Sequence, residues 1–212
     1  MLWGLISLAL ATGAGSLAAL LALGFHCLLR PGEMCRLTRR RVRLPGGAGP
    51  RAAVGMVVIT DPKTARTGAK VQHVVIYDGL VIALCRLMWS TLLPDQSLVA
   101  GNTCGLERWF RRAMAALLLG ERQFTPAGLR AGGATHDYLN GSTVERLMWR
   151  GRWAALSTLK HYVQECASVL ATATLRPITQ QRLLMMEHIL RDFVGALTVS
   201  WQMGDDGEAF QR

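Results

Sequence analysis

The first 29 residues, Met1 to Leu29, contain no aspartate, glutamate, lysine or arginine. An uncharged stretch of that length has to be hidden from water, either in lipid or in the core of a fold. Two features favour the core. A secretory leader begins with basic residues, and this segment has none. The apolar run is also broken at Thr12-Gly13-Ala14-Gly15-Ser16, whose small, glycine-rich composition fits a turn between two helices. Met1 to Leu29 is therefore expected to form two buried core helices. The alternative is a membrane anchor, for which the basic residues that follow would fit the cytoplasmic side.

A chain of 212 residues that is 50% hydrophobic can bury a sizeable core and is not a disordered polymer. One folded unit is expected over residues 1–203, with a polar tail from Gly204 to Arg212. Lys and Arg number 24 against 14 Asp and Glu, a net charge of +10, which predicts attraction to a polyanion such as a nucleic-acid backbone. Charge alone does not separate DNA from RNA or an acidic membrane. The five cysteines, Cys27, Cys35, Cys85, Cys104 and Cys166, are odd in number and lack CxxC spacing, so they read as reduced thiols and not as a zinc site or disulfide framework.

The pattern along the chain predicts a mainly α fold with a small antiparallel β-sheet. Pro31 fits a helix start, and a short helix is expected from Pro31 to Arg40. Leu44 to Pro50 is a loop by composition. Ala53 to Thr60 and Lys70 to Tyr77 are rich in β-branched residues around a polar turn and read as a hairpin, with Val42 to Leu44 as a third strand. Helices are expected at Gly79–Leu93 and Gly105–Leu119, the latter carrying Arg108, Arg111 and Arg112. Thr125 reads as the N-cap and Pro126 as the first residue of the next helix, which ends at Asn140-Gly141. Ser142 or Thr143 caps another, to about Trp149. A helix from Leu156 to Leu170 follows, and after Pro177 a final amphipathic helix presents Leu183, Met186, Leu190, Phe193 and Leu197.

Three stretches carry chemistry. Thr125 to Glu165 reads TPAGLRAGGATHDYLNGSTVERLMWRGRWAALSTLKHYVQE, with Leu129-Arg130, then Gly151-Arg152-Trp153, and Tyr162 nine positions after the tryptophan. His26 to Leu44 reads HCLLRPGEMCRLTRRRVRL, with Arg30 three positions before Glu33. Between them, Val57 to Ile76 reads VVITDPKTARTGAKVQHVVI, with Lys63-Thr64 at the turn. In this order and spacing the stretches resemble the tyrosine recombinase (phage integrase) family. There the first arginine sits in a GLRxgE-like segment, a lysine lies on a β-hairpin, the second arginine follows a leucine, and a His or Trp precedes the nucleophilic tyrosine by nine positions.

The resemblance implies the catalytic-core fold of that family and DNA strand breakage and rejoining through a 3′-phosphotyrosyl intermediate. A phenol can form and later release a phosphodiester with a DNA end. Tyr162 is the implied nucleophile. Arg30 and Arg130 would bind the phosphate, because a guanidinium fork matches its oxygens and stays charged. Lys63 would protonate the departing 5′ oxygen, with Lys70 the nearby fallback. Trp153 would donate its indole N–H to a phosphate oxygen, and Glu33 would hold Arg30. Arg36, Arg39, Arg40 and Lys70 would contact the DNA backbone. No metal or other cofactor is implied. The partner is double-stranded DNA, with a homo-oligomer assembling on it, and the location is with DNA: the nucleus in a eukaryote, the nucleoid in a bacterium.

Two departures bear on this. The family's His three positions before the second arginine is Ala127 here, and loss of such a group is worth roughly 10²-fold in rate. About 29 residues precede Arg30, too few for the family's N-terminal DNA-clamp domain, which is expected to be absent from this chain. Each residue also has an ordinary reading. Arg30 fits a helix-end cap, Arg130 a solvated helix position, Lys63 an exposed turn, and Trp153 and Tyr162 core-edge aromatics. The basic run Arg36, Arg39, Arg40, Arg41 and Arg43 fits a solvated face, a phosphate contact or a nuclear-import signal. The competing functions are a degenerate DNA-binding remnant of a mobile-element recombinase and a small membrane-anchored protein.

Overall fold

The computed structural model describes residues 1–45, 54–60, 62, 69–120, 124–163 and 173–208, with side chains in the last stretch described up to residue 196. Lys63, Cys166, most of the loop after Leu44 and the side chain of Leu197 lie outside the described residues.

The uncharged N-terminal segment forms two helices, α1 (Leu2–Ala11) and α2 (Gly15–His26). At 10 and 12 residues each is far short of the roughly 20 a membrane span needs. Among the described residues no helix is long and apolar enough to cross a membrane. Ala18 to Leu23 of α2 are buried without a break, so this helix is wrapped by protein on every side. Small residues make that possible. A Cβ on Gly133 would lie 2.2 Å from the Phe25 carbonyl oxygen, so the sixth helix can approach α2 this closely only because it has glycine there.

A short helix α3 (Pro31–Cys35) follows. It stops five residues before the expected Arg40, because the backbone beyond Leu37 pairs sideways. Leu98 N donates to Leu37 O, Arg39 N to Gln96 O and Arg40 N to Pro94 O, with a bridge between Thr38 and Ser97. A 3-10 turn at Arg39–Arg41 leads into β1 (Val42–Arg43), which pairs antiparallel with β2 (Gly55–Ile59), itself antiparallel to β3 (Gln72–Ile76). Val57, Ile59, Val74 and Ile76 alternate inward, the period expected of a sheet with one buried face. His26 ties this sheet to α2, its Nε2 accepting from the backbone N–H of Tyr77 (3.2 Å) and Asp78 (3.4 Å).

Helices α4 (Gly79–Trp89) and α5 (Thr103–Ala116) are capped by the side chains of Asp78 and Asn102. Helix α6 (Ala127–Leu139) carries Arg130, and its N-cap is Pro126, with no side-chain cap from Thr125. Helix α7 (Val144–Gly151) is capped by Thr143, and α8 (Leu156–Tyr162) ends at Tyr162 because Val163 takes an extended backbone, φ −81° and ψ 101°. The tyrosine thus closes its helix, and residues 164–170 of the helix expected from Leu156 to Leu170 lie outside the described residues. The long α9 (Pro177–Glu208) packs on α1 and α4, and Gly204 to Glu208 continue it where a frayed tail was expected. Among the described side chains Leu183, Leu190 and Val194 are its buried apolar residues, while Phe193 is exposed. Eleven residues from Leu183 bring Val194 to within about 20° of the same face, whereas Phe193 is off by about 80°.

Among the described residues five helix ends close with one backbone motif, in which the chain turns left-handed and two N–H groups return to the last turn. Gly13 and Gly141 do this with glycine, and Leu28, Leu118 and Arg152 without it.

Two glycines of α6 predict opposite outcomes. Gly133→Ala forces a methyl into the Phe25 backbone and should cost about 2 kcal/mol, lowering the thermal midpoint by roughly 5 °C. Gly128→Ala meets nothing within 4 Å and should raise stability by up to about 1 kcal/mol. Calorimetry of both variants checks the tight α2–α6 crossing.

Candidate functional site

The C-terminus of α2, the N-terminus of α3, and helices α6, α7 and α8 meet around a small second core. It contains Leu28, Ala134, Leu147, Trp153 and Leu159, with Tyr162 and Val163 packed against it. Arg30, Glu33, Arg130, Trp153 and Tyr162, separated by up to 132 residues of sequence, are brought together at its edge.

Glu33 is the hub. It stands three residues after the α3 N-cap, and its Oε2 accepts from the Arg30 backbone N–H at 2.9 Å, which caps the helix. Its Oε1 accepts from Arg30 Nη1 at 2.9 Å, and Oε2 also accepts from Arg152 Nη2 at 2.9 Å. The carboxylate is 3% exposed. Burial pushes its pKa up, but the Arg152 charge, the Arg30 N–H and the Arg30 guanidinium together outweigh burial and hold it below the usual value.

Arg130 is 1% exposed, not the solvated helix residue of the ordinary reading. Its Nη1 donates to the Leu28 carbonyl and its Nη2 to the Gly151 carbonyl. The guanidinium carbon lies 4.4 Å from the Trp153 ring centre and 5.4 Å from that of Tyr162. The two rings are themselves 5.1 Å apart and tilted by 49°. Burial, with the charges of Arg30 and Arg152 alongside, lowers the Arg130 pKa, so the site presses on this cation and would be relieved by an anion. Gly151 is fixed by the same packing, since a Cβ there would overlap the Trp153 six-membered ring at 1.7 Å. Thr135 Oγ1 donates to the Tyr162 carbonyl at 3.2 Å and joins α6 to the end of α8.

Four buried N–H-bearing atoms of the cluster have no hydrogen-bond partner among the described residues: Arg130 Nε, Arg152 Nε, Arg152 Nη1 and Trp153 Nε1. All four are donors. Buried donors without acceptors are costly and uncommon, and a group of them around an excess of positive charge is what an anion would satisfy. Arg30 and the Tyr162 ring are partly exposed, so the cluster reaches the surface at these two.

The remaining candidates that are described lie elsewhere. Lys63 is outside the described residues, and Lys70 is exposed just before β3. Arg36 and Arg40 are exposed, and Arg40 pairs with Asp95. Arg39 turns inward: its Nε donates to Trp89 O at 3.3 Å and its Nη1 to Val42 O at 2.8 Å, bracing α4 against β1. Ala127 is exposed at the start of α6. Among the described residues no three His, Cys, Asp or Glu side chains are grouped to hold a metal ion. Arg152 was missed by motif reading, which passed over it as the residue before Trp153. Its basic character beside the tryptophan was the available signal.

Because the folded-state pKa of Glu33 is depressed, its stabilising effect is present above its ordinary value of 4.5 and lost as pH falls through the folded value. Denaturant unfolding should show stability falling in that acid range. Glu33→Gln should flatten this slope and cost about 3 kcal/mol near neutral pH, since it leaves two buried or half-buried arginines without their counter-charge.

No protein-family model and no curated protein matches this sequence. Solved structures do match its fold. The crystal structure of XerA recombinase has a TM-score of 0.59 at 18% identity, over 82% of this chain and 61% of that one. XerH site-specific recombinase bound to difH substrate, in a pre-cleavage complex, gives 0.58 at 14% identity, over 82% of this chain and 51% of that one. The post-cleavage complex with palindromic difH gives 0.55 at 15%, over 80% and 50%. The chain thus spans between half and three-fifths of these recombinases. Its fold, mainly helical with a three-stranded antiparallel sheet, resembles that of tyrosine recombinase catalytic domains.

Proposed function

We propose that this chain is the catalytic domain of a tyrosine-type DNA recombinase or integrase, occupying residues 1–203, that breaks and rejoins DNA strands through a 3′-phosphotyrosyl intermediate. The observation that carries the reading is the convergence of Arg30, Arg130, Trp153 and Tyr162 on one cluster whose spare groups are all donors. The likeness to the XerH complexes with their difH substrates supports double-stranded DNA as the partner. The excess of basic residues supports it too.

In this mechanism the Tyr162 hydroxyl attacks the scissile phosphorus and gives its proton to solvent. A bond forms from phosphorus to the phenolic oxygen as the bond to the 5′ oxygen breaks, and Lys63 supplies that oxygen's proton. Arg30 and Arg130 neutralise the two non-bridging oxygens, where negative charge concentrates, and the Trp153 indole N–H adds a hydrogen bond. Glu33 keeps Arg30 aimed. Rejoining is the reverse attack by a 5′ hydroxyl, which conserves the phosphodiester energy and requires no cofactor. Arg36, Arg40 and Lys70 contact the backbone of the duplex, and Arg39 does so with whatever donors its inward bonds leave. Protomers assemble on the DNA, which also sets where the protein resides.

A second reading is a catalytically weak DNA-binding remnant of a mobile-element recombinase. It is favoured by Ala127, which removes a proton-handling side chain, and by the Arg130 Nη groups being engaged by backbone carbonyls.

A pool of nicked duplexes of randomised sequence separates the two. Cleavage beside a nick lets the short 5′-hydroxyl strand diffuse away and traps the enzyme on the DNA. The recombinase reading predicts a denaturant-stable protein–DNA adduct that Tyr162→Phe abolishes while leaving DNA binding within about tenfold, as one lost hydroxyl contact allows. Binding without any adduct from the unaltered protein would establish the remnant instead.

A further inference from the structure

Arg152 has a backbone conformation that glycine would occupy more easily, φ 58° and ψ 42°. For a long L side chain this costs on the order of 1–2 kcal/mol. The helix end does not require arginine, because α7 closes through backbone bonds alone, Arg152 N to Trp149 O and Trp153 N to Met148 O. Leu118 shows the same left-handed turn on an exposed surface, so the strain by itself marks nothing. What distinguishes Arg152 is where its guanidinium goes.

The side chain is 7% exposed and runs back under the junction of α2 and α3. There Nη2 donates to Glu33 Oε2 at 2.9 Å and to the Leu28 carbonyl at 3.1 Å. Nε and Nη1 are buried and unpartnered, although a guanidinium offers five N–H donors in a fixed plane. The acids nearby do not balance it. Glu33 is one negative charge shared between Arg152 and Arg30, with Arg130 beside them. The Cys27 thiol, pushed up to about 12 by burial, stays neutral. Three guanidiniums therefore face one carboxylate. A phosphodiester between two sugars brings one negative charge and two non-bridging oxygens, each able to accept several hydrogen bonds, which suits both the charge and the spare donors.

We propose that Arg152 is a third phosphate-binding guanidinium of this site, donating from Nε and Nη1 to a non-bridging oxygen of the scissile phosphodiester and supplying an anion contact at a site where Ala127 supplies none. The assignment rests on the recombinase reading above. It makes Arg152 a residue that touches substrate, in addition to its grip on Glu33.

Charge removal on the DNA tests it. The variants are Arg152→Gly, which suits the left-handed backbone and should retain the fold by circular dichroism, and Arg152→Lys, which keeps the charge without the planar fork. Each is assayed for adduct formation on a duplex recovered from the randomised pool, made once with the natural phosphodiester and once with an uncharged methylphosphonate at the scissile position. Arg152→Gly should slow adduct formation about 100-fold on the phosphodiester, as loss of one such donor does elsewhere, and by no more than a few-fold on the methylphosphonate. Arg152→Lys should recover part of the loss. Equal losses on both substrates overturn the proposal and leave Arg152 as a support for Glu33, with the recombinase reading intact. Failure of the unaltered protein to form an adduct on any member of the pool removes the recombinase reading and this proposal together.

Discussion

The carbonyl oxygen of Leu28 holds the site together. It accepts from Arg130 Nη1 and from Arg152 Nη2, so one peptide group at the end of α2 fixes two guanidiniums delivered by α6 and by the end of α7. A carbonyl has two lone pairs and can serve both. It points into the cluster because Leu28 turns left-handed, φ 52°, as α2 terminates. The position of that turn is set by α2, which is continuously buried and in close glycine contact with α6. The apolar N-terminal segment thus serves as the foundation of a polar site.

The cluster is electrostatically incomplete. Arginines bury poorly unless paired, and a buried pair broken on one side leaves a charge with no compensation. Here Glu33 compensates part of the charge, the Leu28 and Gly151 carbonyls accept some of the donors, and the Trp153 and Tyr162 rings present π faces to Arg130. What remains is an excess of positive charge with donors already oriented. Under the proposed function such a site would be organised before its anion arrives and would stabilise added negative charge without further reorganisation, the arrangement that favours a phosphoryl transition state. In the proposed function Tyr162, which closes α8 with its ring beside Arg130, is the nucleophile.

Much of this was legible in the sequence and some was not. The absence of charge from Met1 to Leu29, the β-branched hairpin, and the Asn140-Gly141 stop signal each follow from local chemistry. The order of Arg30, Glu33, Arg130, Trp153 and Tyr162 pointed to one cluster only through the resemblance to the recombinase family, since the spacing of such distant residues does not by itself give their proximity in the fold. The length of α3 did not show, because it is ended by lateral pairing of Thr38 with Ser97, a contact 59 residues away in sequence. The left-handed turns at Leu28 and Arg152 were invisible for a related reason: the usual signal for such a turn is glycine, and neither position has it. With no glycine to mark that turn, only the basic character of Arg152 beside Trp153 pointed to the site. Phe193 was placed inward because it follows Leu190 at an i+3 helical spacing, but the face set by Leu183 and Leu190 is met more closely by Val194 at i+4.

The central claim is that the unpaired guanidinium and indole N–H groups of this cluster await a phosphate. The most direct measurement is NMR observation of the Nε–H resonances of Arg130 and Arg152 and the Nε1–H of Trp153 during titration with a duplex oligonucleotide. The account predicts that all three move downfield and become protected from exchange as DNA saturates the protein. Unchanged resonances, under conditions where backbone signals report full occupancy by DNA, would contradict it.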